Sequence, residues 1–223
     1  MDVSVISFLS GCTVLSMTTY SVVQAKRRSG GEKPHPCRFS LAVGAAVGGI
    51  LGKTLFQLVN KAVAGGAGLP QAIALLAVTA GSFGYLLLRS RIKTHQVTNR
   101  MLSAVIGLAL GLISSFLGIG GGPMNLVVLY FFFSMTTKVA AQTSLYIIFF
   151  SQLTSLLYTI MSGTVPEFSV WMLLLMAAGG IGGGIGGKQL NKRLTDENVD
   201  KLLKICMLGL MALECYNIVL FCG

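Results

Sequence analysis

The chain has 223 residues, of which 53% are hydrophobic and only 11% charged, with a net charge of +10. A soluble core of this size is not built that way, and a basic balance without a separate basic domain or an aromatic-spaced motif argues against nucleic acid. What remains is a chain made of apolar runs near 20 residues, the length that spans a bilayer core of about 30 Å.

Taken in chain order, the apolar runs predict membrane helices over Val3–Val23, Leu41–Val59, Leu69–Leu88, Met101–Leu117, Val139–Ser162, Phe168–Gly187 and Leu203–Phe221. Asn125–Met135 is a shorter apolar piece between the fourth and fifth of these. The segments between them are loops, so the fold class is an all-α integral membrane protein, a polytopic helical bundle. The first run has Asp2 before it and its positive charges after it, which reads as an anchor with the N-terminus outside and not as a signal peptide.

The lysines and arginines cluster. Lys26, Arg27, Arg28, Lys33 and Arg38 fill the first loop, and Arg89, Arg91, Lys93 and Arg100 the third. Lys188, Lys192, Arg193, Lys201 and Lys204 surround the last. Such loops stay in the cytoplasm, so the three should share one side, with both termini on the other.

The chain repeats itself. Gly44, Gly48 and Gly52 are followed by Lys53, and Gly179, Gly183 and Gly187 by Lys188; the local words are GGILGKTL and GGIGGKQL, 135 residues apart. The same offset carries Ser16 to Ser151 and Leu69 to Lys204. Three successive helices in one register mark an internal repeat, which divides the chain into 1–96 and 97–223. The basic last loop corresponds to the second loop, which carries only Lys61, so the repeats are most simply inverted. The first repeat has no counterpart of Met101–Met135. The chain is then either a shortened form or one whose start lies upstream of Met1.

The feature without a repeat mate carries the chemistry. In GLISSFLGIGGGP, Gly111–Pro123, an apolar helix meets Gly118, Gly120, Gly121 and Gly122 and then resumes. Unpaired backbone groups cost several kcal/mol each in lipid, so such a break is tolerated only where protein or a water-filled cavity meets it. Asn125–Met135 reaches roughly 16 Å at 1.5 Å per residue, about half the core, which predicts a re-entrant hairpin. The half-helix after Gly122 presents free N–H groups and the positive end of its dipole, Pro123 suits its first turn, and such a terminus attracts an anion. Broken helices in inverted repeats mark secondary transporters. A helix-packing kink is the other reading of these glycines.

The candidate substrate-binding residues are Gly118, Gly120, Gly121, Gly122 and Asn125, with Gln142, Thr143 and Ser144 at the start of the helix that follows. Ser144, Ser151, Ser155, Thr159 and Ser162 fall within about 80° of helical arc; this hydroxyl face either lines a path or bonds a neighbouring helix. Both glycine stripes are expected to be packing faces. Lys53 and Lys188 are expected to snorkel to the interface, with anion attraction as the other reading, and Trp171 to anchor there. Glu214 is the one acid well inside a span and the proton-coupling candidate, with an interfacial location as the other reading.

Several chemistries are set aside. Gly182, Gly184 and Gly187 spell GxGxxG but follow a membrane helix and no strand, so no dinucleotide site is read there. The five cysteines fit neither a metal site nor a disulfide framework, and His35 and His95 lie in basic loops. No His or Asp lies within a predicted span, so neither a catalytic centre, a metal nor a cofactor is assigned.

GLISSFLGIGGGP, the short apolar helix after it, AAQTSLYIIFFSQLTSLL and the Gly-striped helix that follows resemble the TauE/SafE sulfite exporter family of membrane transporters. The resemblance covers Met101–Gly223, and more faintly Met1–Leu88. It implies a permease or exporter in the cell membrane, the bacterial inner membrane, for sulfite, a sulfonate or a related organic anion. Its partners would be that anion and the bilayer, with homo-oligomerisation as a further expectation and no nucleic acid. Members carry the Gly-rich hairpin in both halves, so a non-transporting membrane subunit or half-site partner is the alternative.

Overall fold

The computed structural model describes residues 3–28, 36–62, 68–88, 96–97, 99–117 and 122–222. These residues form eight helices: α1 (Val3–Arg28), α2 (Pro36–Ala62), α3 (Gly68–Leu88), α4 (Arg100–Leu117), α5 (Gly122–Phe133), α6 (Thr137–Met161), α7 (Val170–Arg193) and α8 (Asp196–Cys222). Seven are long and apolar enough to cross a bilayer, and Met124–Phe133 is a shorter apolar helix. The protein is a multi-pass membrane protein.

Helix ends depart from the apolar runs for local reasons. α8 begins seven residues before the run at Leu203. Its first turn holds Asp196 and Glu197, acids that suit a helix N-terminus. α5 begins at Gly122 and stops at Phe133, where Ser134 takes a φ of 49°. α6 ends at Ser162 with Gly163 at φ 62°; the Gly163 N–H donates to Ile160 O and the Thr164 N–H to Thr159 O. This paired closure needs a left-handed residue, which glycine supplies without strain.

The bundle is organised around α2, α4 and α6, which run parallel. A Cβ on Gly44, Gly48 or Gly52 would collide with the carbonyl oxygens of Ala104, Leu108 and Leu112 on α4. Gly107 and Gly111 of α4 meet Leu41 and Ala45 of α2 in return. The two backbones therefore touch, which in lipid replaces the hydrophobic drive that water would supply. α6 joins through hydroxyls: Ser151 donates to Gly111 O at 3.0 Å, and Ser115 to Ser155 at 2.9 Å. Thr154 reaches Ala46 O of α2 at 2.8 Å.

The other helices fix the direction of the chain. Lys53 near the end of α2 reaches Ser7 near the start of α1, so these two are antiparallel. α7 runs parallel to α1, with Gly180 against Thr13 and Gly184 against Met17. Gln71 at the start of α3 donates to Leu117 O at the end of α4. The Val97 N–H donates to Phe132 O at 2.9 Å, so α5 returns to the face where α4 begins. The ends of α1, α3 and α7 and the starts of α2, α4 and α8, which flank the three basic clusters, therefore lie on one face of the bundle. The two termini and the α6–α7 link lie on the other.

Candidate functional site

α4 and α5 form the hairpin that the sequence predicts. α4 rises 18 residues, about 27 Å, and α5 returns 12 residues, about 18 Å. Measured from the face to which both belong, α5 therefore starts inside the thickness of the bundle. α5 lies against α6 and α3, with Leu129 and Tyr130 fully buried among Leu41, Leu110, Ala140 and Ile147. Gly118, Gly120 and Gly121 lie outside the described residues. Gly122 is the first residue of α5, and a Cβ there would meet nothing within 4 Å.

Asn125, in the first turn of α5, is 0% exposed, and neither its Oδ1 nor its Nδ2 has a hydrogen-bond partner. A buried amide left unpaired costs about 1–3 kcal/mol, so Asn125 stands out among the polar groups of the bundle interior. Thr143 on α6 is 1% exposed and its hydroxyl is also unpartnered. Ser144 beside it is buried and donates to Ala141 O. Gln142 is exposed and points away from these two. Ala140 and Ile147, which bracket Thr143 and Ser144, share the buried cluster with Leu129 and Tyr130 of α5. The structure thus brings α5 against the Thr143–Ser144 stretch.

Two expectations from sequence meet a different environment, at the second glycine stripe and at Lys53, and the open reading of the α6 hydroxyl face is narrowed. The hydroxyl face of α6 is turned into the bundle: Ser151 and Ser155 bond α4, and Thr159 bonds Ser155 O of its own helix. It is a packing face for all but Ser162, which is exposed. The second glycine stripe is not packed. A Cβ at Gly179, Gly183 or Gly187 would meet nothing within 4 Å, whereas Gly180 and Gly184 face α1. The stripe that resembles it on α2 is covered by α4, and among the described residues no second helix of that kind stands against α7. Lys53 does not snorkel. It is 7% exposed, held by Ser7 at 3.3 Å and 5.0 Å from the centre of the Phe56 ring. Spacing could not show this, because the turn of α2 that carries Lys53 is capped by α1 and by the end of α6. Lys188, its counterpart by offset, bonds Gln24 of α1.

Glu214 is 5% exposed and accepts from Thr79 Oγ1 at 3.0 Å, and its Oε2 is buried without a partner. It lies between α3 and α8. Trp171 is 77% exposed at the start of α7, as a lipid-facing anchor requires. Among the described residues no group of three His, Cys, Asp or Glu could hold a metal.

Comparison with known proteins bears on the whole chain. The family model described as "Sulfite exporter TauE/SafE" matches residues 2–214. A Bacillus subtilis (strain 168) protein named "Probable membrane transporter protein YunE" is 29% identical over 110 residues, 47% of this chain and 39% of that relative. The match thus spans about two-fifths of the relative's length. No solved structure matches. A polytopic bundle with one re-entrant glycine hairpin and a family match along nearly its full length place this chain among the TauE/SafE sulfite exporter family of membrane transporters.

Proposed function

We propose that the protein moves a small anion across the membrane, with the N-terminus of α5 as its binding point. The observation that carries this reading is Asn125: an amide buried in the first turn of a half-helix that starts inside the bundle, with both polar atoms unpaired. The free N–H groups of that turn and its dipole favour negative charge. Gly118, Gly120, Gly121 and Gly122 let an anion approach the backbone, and the unpaired hydroxyl of Thr143 and that of Ser144 lie on the helix packed against α5. Sulfite, the substrate that the family's description names, is the first anion to test. Sulfonates and related organic anions are the next.

The test compares affinity with stability. A helix-terminus contact contributes roughly 0.3–2 kcal/mol, so Gly121→Ala weakens sulfite binding by up to about 30-fold at 1.4 kcal/mol per decade. Asn125→Leu removes the amide but keeps its bulk. It lowers affinity while leaving the melting temperature unchanged or raised, because an unpaired buried polar group is gone. Wild-type affinity with a lower melting temperature in both variants makes the glycines a packing kink.

A second reading has its own support. The bare glycine face of α7 is the kind of surface that receives another membrane helix. It favours a chain that works as a subunit or half-site partner, and co-purification of a second polypeptide that covers α7 would establish it.

A further inference from the structure

Lys53 is the one lysine buried inside a span among the described residues, and the groups on it are neutral. Ser7 Oγ accepts from Nζ at 3.3 Å, and the Phe56 ring lies 5.0 Å away. Among the described residues no carboxylate pairs with it. A buried ammonium without an opposite charge is strongly unfavourable, and ionisable groups at this depth mark ion and substrate paths.

A cavity of about 180 Å³ opens beside Lys53. Ser4, Asn60, Lys61 and Thr159 contribute polar groups to its wall, and among the described residues no acid lines it. The Asn60 oxygen is buried without a partner; turning the amide over puts its NH₂ donors in that place. Lys61 is exposed at the rim, where a positive charge draws anions inward. At about 30 Å³ per water, the cavity holds about six waters, well below the ~300–1,000 Å³ of pockets for drug-sized ligands.

We infer that this cavity is a binding site for a small oxyanion, with Lys53 as its counter-charge. It lies where α1 begins and α2 and α6 end, the face opposite the helix ends that flank the basic clusters. Phe56, which lines it, also stands edge-on to Phe116 at 6.4 Å, one residue before the end of α4. The cavity thus lies beside the end of α4, and in the transport reading it serves as an antechamber to the hairpin. That role rests on the transport reading, while the binding site rests on its own geometry. The oxyanion is either free in solution or the phosphate of a lipid headgroup, since both offer the same charged oxygens.

The test is thermal melting of the full chain in neutral detergent, titrated with sulfite and with sulfate. In the wild type the anion raises the melting temperature. Lys53→Gln raises the half-saturating concentration roughly tenfold or more, as expected for losing a charged hydrogen bond. Lys61→Gln raises it only a few-fold and flattens its dependence on salt, as expected for a rim charge. Lys53→Met, free of the buried charge, melts no lower than the wild type without anion and, combined with Asn125→Leu, loses the anion-induced rise that Asn125→Leu alone retains. Half-saturation unchanged in both Lys53 variants overturns the site. Repeating the titration in phosphatidylcholine nanodiscs with and without phosphatidylglycerol names the source. Competition seen only when Lys53 is present adds lipid phosphate as an occupant, and its absence leaves the free oxyanion; either supports the site. Binding lost with sulfite flux retained overturns the antechamber alone. Flux absent with Lys53-dependent binding retained overturns the transport reading alone.

Discussion

At the scale of single residues, the bundle interior holds polar groups that an apolar environment does not tolerate without a use. Glu214 is one of them. An acid at membrane depth costs several kcal/mol or faces a partner or a path, and here one oxygen has Thr79 while the other has none. If Glu214 carries a proton during transport, Glu214→Gln, which keeps the bond to Thr79 and cannot ionise, abolishes the pH dependence of flux while the protein still inserts. Flux in Glu214→Gln that follows pH as the wild type does makes Glu214 a structural contact between α3 and α8. The sequence marked Glu214 as an intramembrane acid from its place in an apolar run. Asn125 was marked from its place behind the glycines, but only the packing of α5 against α6 and α3 shows that both its amide atoms are left bare. Lys53 was misread for a similar reason. Helix position says how near an end a lysine lies, and not which other helices close over it.

At the scale of elements, two glycine stripes with nearly the same wording have different environments. Gly48 receives the Leu108 carbonyl of α4, so Gly48→Ala forces two backbones apart. Overpacking of this kind costs roughly 1–3 kcal/mol, and the variant melts several degrees lower in detergent or fails to accumulate. Gly183 faces open space, and Gly183→Ala leaves the melting temperature of the isolated chain at the wild-type value or slightly higher, because alanine favours a helix over glycine by up to about 1 kcal/mol. Equal losses in both variants mean that α7 is covered in the protein as purified. The periodicity of small residues was legible; its partner was not, because a stripe specifies close approach without saying whose backbone approaches. The hydroxyl face of α6 is the same case: the 100° spacing showed one face, and only the positions of Gly111 and Ser115 on α4 show that it bonds a helix. Seven spans and the return of α5 toward the start of α4 were legible, since apolar length sets a span and Asn125–Met135 is too short to cross.

At the scale of the whole molecule, the chain reads as two inverted halves, and several features support that reading. α2 lies against α6 and α7 against α1, and these pairs exchange under an offset of 135. Thr79 and Glu214, which bond each other, are themselves 135 apart, as two positions facing across a two-fold axis would be. The helix ends that flank the three basic clusters share a face, which the charge rule assigns to the cytoplasm. In this arrangement the α4–α5 hairpin has no counterpart among the described residues, and α7 is bare at Gly179, Gly183 and Gly187. The account joins two proposals, transport of a small anion and a chain built as two inverted halves. The measurement that decides it is sulfite flux into sealed vesicles holding the purified chain and no other protein. The account predicts a saturable flux, competed by small sulfonates and reduced by up to about 30-fold in Gly121→Ala at sulfite concentrations below saturation, in line with the weight of a helix-terminus contact. Flux no greater than that of protein-free vesicles, from a chain that is folded and inserted, contradicts it.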